Sequence, residues 1–137
     1  RSLPESVASR IHVAAVSMED REVNATVVNA VQRVSSVVTQ RSLIEAFGLT
    51  VAEAMWKKAP VVASAVGGIR DQIDDGVDGV LVDPANGVAW AEAVRDLLLF
   101  PERAQEMGLA AHESVRREFL SNRHLQDLLQ ILADLVG

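Results

Sequence analysis

The stretch from Val37 to Met55 constrains the fold of this chain more than any other. A short run of strand-forming residues, Val37–Thr39, is followed by a polar loop and then by the apolar, helix-forming run Leu49–Met55. Two carboxylates flank this junction, Glu45 in the loop and Glu53 eight positions later in the first turns of the helix. The pattern predicts a strand, a loop with one acid and a helix with a second acid.

The rest of the chain repeats this alternation of short apolar runs and helical patterns. The predicted strands are Ile11–Val16, Val37–Thr39, Val61–Ser64 and Val80–Val82. The predicted helices are Ala25–Ser35, Leu49–Lys58, Ile69–Ile73, Val88–Phe100, Glu102–Phe119 and Arg123–Val136, and the charged run Met18–Val23 is predicted to be a loop. Strands that alternate with helices predict an α/β fold, a parallel sheet with helices on both faces.

The residues at the first junction suit a ligand that combines a diphosphate with sugar hydroxyls. The first amides of a helix have no partner within it and lie at the positive end of its dipole, so Leu49, Thr50 and Val51 could bind a diphosphate. Carboxylates accept hydrogen bonds from paired hydroxyls, so Glu45 would suit a hexose and Glu53 a ribose. Two solvated surface acids are the simpler alternative, which the spacing alone favours, because such pairs often occur by chance.

Longer sequence runs resemble a known family. The runs are Val28–Arg33, Val37–Ser42, Glu45–Lys57, Pro60–Ile69, Asp75–Pro84 and Glu118–Leu125. Together they resemble the C-terminal domain of retaining GT-B glycosyltransferases (family 4) over about residues 20 to 130. Within that group the Asn-Ala-Val-Gln-Arg and Ala-Met-Trp-Lys pieces are most like the trehalose synthases of the glycosyltransferring type and the trehalose phosphorylases. The resemblance implies a Rossmann-like domain that binds a nucleotide diphosphate sugar.

The resemblance also implies a role for each residue of the junction. Glu45 would contact the donor hexose as the catalytic carboxylate, and Glu53 would bind the ribose. The donor sugar and diphosphate would lie against the run Ala46, Phe47, Gly48, Leu49 and Thr50. Further candidates are Arg41, which could reach a base or phosphate, and Asn29, which could approach the nucleotide base, but a surface arginine and a solvated helix residue are the favoured alternatives. Gly67 and Gly68 are candidates as well, although a tight turn explains them at least as well. No metal ion or other cofactor is expected in this family.

Ala46 departs from the family pattern, in which glycine commonly follows the first glutamate. If position 46 required a positive φ, an alanine would cost about 1 kcal/mol or more. Relatives with other small residues at this position indicate that it does not. We therefore expect an effect on donor affinity at most, and none on the fold.

The resemblance leads us to expect that residues 1–137 form part of a larger enzyme. A complete domain of this family begins with a further strand, a glycine-containing loop and two basic residues that clamp the diphosphate, and nothing before Arg10 matches them. The acceptor domain, which would bind the sugar acceptor, is absent as well. Only four strands are predicted, so we expect a partner chain such as a homodimer, a swapped element or marginal stability.

Composition excludes several other classes of protein. The net charge of −6 argues against nucleic-acid binding, and no apolar run reaches the roughly 18 residues of a membrane span. The absence of cysteine excludes thiolate metal sites and agrees with a cytoplasmic protein. His12, His112 and His124 lie far apart in sequence, so a histidine metal site is not expected either.

Two other functions remain open at this stage. One is a non-catalytic nucleotide-binding or assembly module derived from a glycosyltransferase, which the alanine at position 46 slightly favours. The other is a sugar-nucleotide epimerase with the same parallel sheet, which the resemblance of the Glu45–Glu53 run to transferases disfavours.

Overall fold

A computed structural model describes the backbone of residues 3–136 and the side chains of residues 3–120 and 125–135. The chain divides into two compact units, Arg1–Val31 and Gln32–Gly137. Helix α2, Arg21–Val34, belongs to both units, and every other helix and strand lies within one of them.

The first unit contains helix α1, Glu5–Ala8, and most of α2. The predicted strand Ile11–Val16 is wrong: residues 11–17 have no regular structure, and the side chain of Val13 is 93% exposed. A strand is stable only when a neighbouring strand accepts its backbone hydrogen bonds, and none of the described strands pairs with this run. The predicted loop Met18–Val23 is wrong in its second half, because Oδ1 of Asp20 accepts hydrogen bonds from the first turn of α2.

The second unit is built on a parallel sheet of three strands in the order β1-β2-β3, not the four that the sequence predicts. The strands are β1, Val38–Gln40, β2, Val61–Ser64, and β3, Val80–Val82. Val38 pairs with Val61 in the first ladder, and Val62 pairs with Val80 in the second.

The helices of the second unit follow the strands as the sequence predicts. Within the described residues they are α3, Leu49–Trp56, α4, Ile69–Gln72, α5, Gly87–Leu99, α6, Pro101–Glu118, and α7, Ser121–Val136. Helices α3 and α4 lie in the crossovers that parallel strands require between one strand and the next, and α5 follows β3 by a short loop. The side chain of Asn86 accepts a hydrogen bond from the amide of Ala89 and so caps α5. Within the described residues, no helix has both the length and the apolar character that a membrane crossing requires.

Alternate residues of β2 point into two separate apolar clusters. Val61 and Ala63 pack with α3, α4 and α6, and Val62 packs on the opposite face of the sheet with α5 and α6. The first cluster contains the fully buried Met55 and Ile69, and the second contains Trp90. A central strand buried on both faces confirms the predicted sheet with helices on both sides. Because the three strands are parallel, their carboxyl ends lie at one edge of the sheet.

Candidate functional site

The loops that follow β1 and β2 meet at the carboxyl edge of the sheet. A β-carbon at Gly67, whose φ is +47°, would overlap the carbonyl oxygen of Glu45, and one at Gly68 would overlap that of Ala46. Only glycine permits this approach, because it has no side chain and tolerates a positive φ. Glu45 and Gly67 therefore lie together at this edge of the sheet.

Arg41 joins the first of these loops to the loop after β3. Its Nε and Nη2 donate to the carbonyl oxygen of Pro84 at 3.1 and 2.8 Å, and its guanidinium lies 5.7 Å from the centre of the Trp90 ring. These contacts give Arg41 a structural role at this edge. Its predicted contact with a base or phosphate stays a prediction.

Helix α3 begins at the centre of the candidate site. Gly48 precedes it in a left-handed conformation, with φ 87° and ψ 55°. A β-carbon at this position would lie 2.8 Å from Cγ1 of the buried Ile69, so a larger residue would push α3 away from α4. Glycine at position 48 therefore fixes how closely the start of α3 approaches the loop after β2.

The amides at the start of α3 are only partly used inside the protein. The amides of Val51 and Ala52 both donate to the carbonyl oxygen of Gly48, at 2.9 and 3.2 Å. The expectation that Val51 presents a free amide is thus wrong, because the first turn closes early on that carbonyl. The amides of Leu49 and Thr50 donate to no acceptor among the described residues, and both residues are exposed. They remain available to an anion at the positive end of the helix.

The two carboxylates lie on either side of these amides along the chain, and both are half-buried. Oε2 of Glu45 accepts a long hydrogen bond of 3.4 Å from Ser42 Oγ. Within the described part of the chain, the Glu53 carboxylate has no hydrogen bond or ion pair. Lys57 follows one turn later, but its Nζ donates to Oε1 of Gln32 at 2.7 Å. Both acids therefore keep most of their hydrogen-bonding capacity for another molecule.

A hydrogen bond joins Gln72 of α4 to Phe47 in the loop after β1. Nε2 of Gln72 donates to the carbonyl oxygen of Phe47, and the Phe47 ring packs edge-on against Phe119 with 6.1 Å between ring centres. Neither Gln72 nor Phe119 was predicted from the sequence to belong to the site. A usable signal for Gln72 was its position between Ile69 and Ile73, where a polar residue interrupts a buried helical face.

Ala46 has an ordinary backbone conformation. Lys58 is the one non-glycine residue with a positive φ in the described part of the chain. The expectation that position 46 does not require glycine is confirmed, and the alanine there causes no left-handed strain.

The remaining candidate, Asn29, lies in α2 within the first unit, and its side chain is exposed. Its predicted approach to the nucleotide base stays a prediction. Among the described residues no group of three or more histidine or acidic side chains is placed to hold a metal ion.

A groove of about 460 Å³ lies beside the candidate site, between α4, the turn that follows it and the C-terminal half of α6. Its lining includes five acids and one cation: Asp71, Asp74, Asp78, Glu113, Glu118 and Arg117. Carboxylates repel phosphate oxygens, so this groove does not suit a diphosphate.

The hydrogen bond from Arg116 lowers the pKa of Glu113, and the same bond raises the pKa of Arg116, at the exposed end of α6.

Comparisons with known proteins show which family the chain belongs to. Residues 21–114 match the family described as "Glycosyl transferases group 1". The chain is 50% identical over 115 residues to a trehalose synthase of Pyrococcus horikoshii and 48% identical over 117 residues to one of Rubrobacter xylanophilus. Each match covers 84% of this chain and 27% of the relative, so the chain spans about a quarter of the length of these relatives.

The fold of the chain also agrees with that of a solved structure. The sucrose-phosphate synthase of Thermosynechococcus elongatus superimposes with a TM-score of 0.76 and 27% identity, over 96% of this chain and 31% of that protein. The parallel sheet with helices on both faces is thus the fold of GT-B glycosyltransferases. Because the family match covers more than half of the chain, the chain belongs to the group 1 family of glycosyl transferases.

Proposed function

We propose that this chain is the donor-binding, C-terminal part of a retaining glycosyltransferase. The enzyme transfers a hexose, with glucose the leading candidate, from a nucleotide diphosphate sugar to a sugar acceptor. Glucose as the acceptor would give trehalose, in keeping with the two trehalose synthases to which the chain is similar. The acceptor would be bound by a separate N-terminal domain.

The observation that supports this proposal is that the amides of Leu49 and Thr50 have no acceptor among the described residues and are flanked along the chain by two acids. The amides and the helix dipole suit the diphosphate, which is the leaving group of the transfer. Stabilisation of its negative charge as the bond to the sugar breaks would be the main catalytic contribution.

The acids have separate tasks in this proposal. Glu45 accepts hydrogen bonds from the hexose and stabilises the positive charge that develops near its anomeric carbon, as in an oxocarbenium-like transition state. The acceptor hydroxyl attacks from the face that the diphosphate leaves, so the anomeric configuration is retained. Glu53, about one turn into α3, accepts hydrogen bonds from the two ribose hydroxyls.

The alternative is a non-catalytic nucleotide-binding or assembly module. Its slight support came from alanine at position 46. Ala46 lies outside the left-handed region, so its backbone conformation adds no support to this alternative.

Calorimetric titration of UDP, ADP and GDP and of their glucose conjugates tests the proposal. The titrations are made with this chain and with any longer natural protein that contains it. We expect binding that Glu53→Ala weakens strongly, and the nucleotide that binds best identifies the base of the donor. If neither protein binds any of these ligands, the proposal fails and the assembly module is favoured.

A further inference from the structure

The side chain of Gln72 is unusually buried for a glutamine. It ends the short helix α4, is 3% exposed, and donates from Nε2 to the carbonyl oxygen of Phe47. Its Oε1 has no hydrogen-bond partner among the described residues. Burial of an amide with one unpaired oxygen is costly, and an apolar residue between Ile69 and Ile73 would avoid that cost. The hydrogen bond to Phe47 is what this glutamine supplies.

That hydrogen bond fixes the direction of the next amide. The Phe47 carbonyl and the Gly48 N–H belong to one peptide unit, which is planar and trans, so the two groups point in opposite directions. With the carbonyl directed at Gln72, the Gly48 N–H is directed away from α4.

The Gly48 amide itself lacks a partner. Gly48 is a buried residue, yet its N–H donates to no acceptor among the described residues. Backbone amides of folded proteins nearly always have a partner, so this N–H is available to an oxygen atom of a ligand. The amides of Leu49 and Thr50, which follow directly, also have no acceptor in the described part of the chain.

We propose that Gln72 is a positioning residue for the donor site: its hydrogen bond to Phe47 aims the Gly48 amide at an oxygen of the bound nucleotide diphosphate sugar. Gln72 acts through Gly48 and does not touch the donor. This inference rests on the proposed function, and it adds a third main-chain donor, Gly48, to those of Leu49 and Thr50.

The hydrogen bond can be tested without any ligand. Nuclear magnetic resonance of the isotope-labelled protein should show a scalar coupling between the Gln72 side-chain nitrogen and the Phe47 carbonyl carbon. This measurement needs no variant, so a folding defect cannot obscure it. Absence of the coupling overturns the role of Gln72, whatever the protein binds.

The effect on the donor site is tested with Gln72→Met, which keeps the length of the side chain and removes the donor. We expect the Gly48 amide resonance of the ligand-free protein to shift. We also expect the affinity for pyrophosphate, a probe that does not depend on the base, to fall about tenfold, the effect of one hydrogen bond to a charged group. The matched control is Ile73→Val, which shortens the neighbouring buried side chain. It should lower the midpoint of urea denaturation and leave pyrophosphate affinity unchanged.

The outcomes separate this inference from the proposed function. If the coupling is present but the unmutated protein binds neither pyrophosphate nor any of the nucleotides above, the diphosphate site itself is wrong, and the inference falls with it. If the protein binds them and Gln72→Met binds them equally well, the donor site stands and the positioning role of Gln72 is overturned.

Discussion

The α-carbon of Gly67 lies so close to the main-chain carbonyl of Glu45 that a β-carbon at position 67 would overlap that oxygen. The contact joins the loop after β2 to the loop that holds the candidate catalytic acid. The position of Glu45 therefore depends on Gly67, a residue 22 positions away in sequence that has no side chain.

Gly67→Ala should disrupt this contact. The change combines an unfavourable positive φ with steric overlap, so we expect the free energy of unfolding to fall by at least about 2 kcal/mol. Gly76→Ala is the matched control, because Gly76 has a φ of +79° but a β-carbon there would have no other atom within 4 Å. It should cost only about 1 kcal/mol in urea denaturation. Equal losses from both changes would show that the contact with Glu45 is unimportant.

Replacement of the two acids should have different effects on the reaction. In an active full-length enzyme, Glu45→Ala should lower kcat by about 100-fold or more, because the positive charge of the transition state loses its partner. Glu53→Ala should mainly weaken donor binding, by about tenfold, because it removes hydrogen bonds to the ribose. Steady-state kinetics with varied donor concentration separates the two effects, and Glu92→Ala, an exposed acid of α5, controls for loss of charge. Small and equal effects from Glu45 and Glu53 would contradict the assigned roles.

Ala46→Gly restores the residue that is common in the family, and it should not improve donor binding. Since Ala46 has no positive φ, glycine relieves no strain there, and the greater freedom of the unfolded chain should cost up to about 1 kcal/mol of stability. The opposite change two positions later, Gly48→Ala, should be more harmful, because its β-carbon would meet Ile69. Calorimetric titration together with urea denaturation of both variants checks this, and tighter donor binding by Ala46→Gly would refute it.

Arg41→Met should lower stability by about 1 kcal/mol, because it removes two hydrogen bonds to Pro84 and the contact with the Trp90 ring. Arg103→Met, on the exposed side of α6, serves as the control for loss of a positive charge. Urea denaturation should separate the two variants. If nucleotide binding falls as well in Arg41→Met alone, the arginine also contacts the donor, as the sequence suggests.

Much of the fold follows from local pattern. The strand Val61–Ser64 lies where four consecutive apolar and small residues predict it, and α6 begins at Pro101, a residue that favours the first position of a helix. The failures have physical causes. Ile11–Val16 has the composition of a strand but no pairing partner among the described strands, and the capping role of Asp20 moved the start of α2 four residues before the predicted one.

By itself, the sequence determined the α/β class, the order of helices and strands in the second unit, and the family, because these depend on the periodicity of apolar residues and on runs of identical residues. Only the tertiary structure decided which amides at the start of α3 are free. It also showed that Arg41 joins two loops and that Gln72 holds the Phe47 carbonyl. The roles of Arg41 and Gln72 depend on contacts between residues 43 and 25 positions apart, and the pattern of a single segment contains no information about its distant partner.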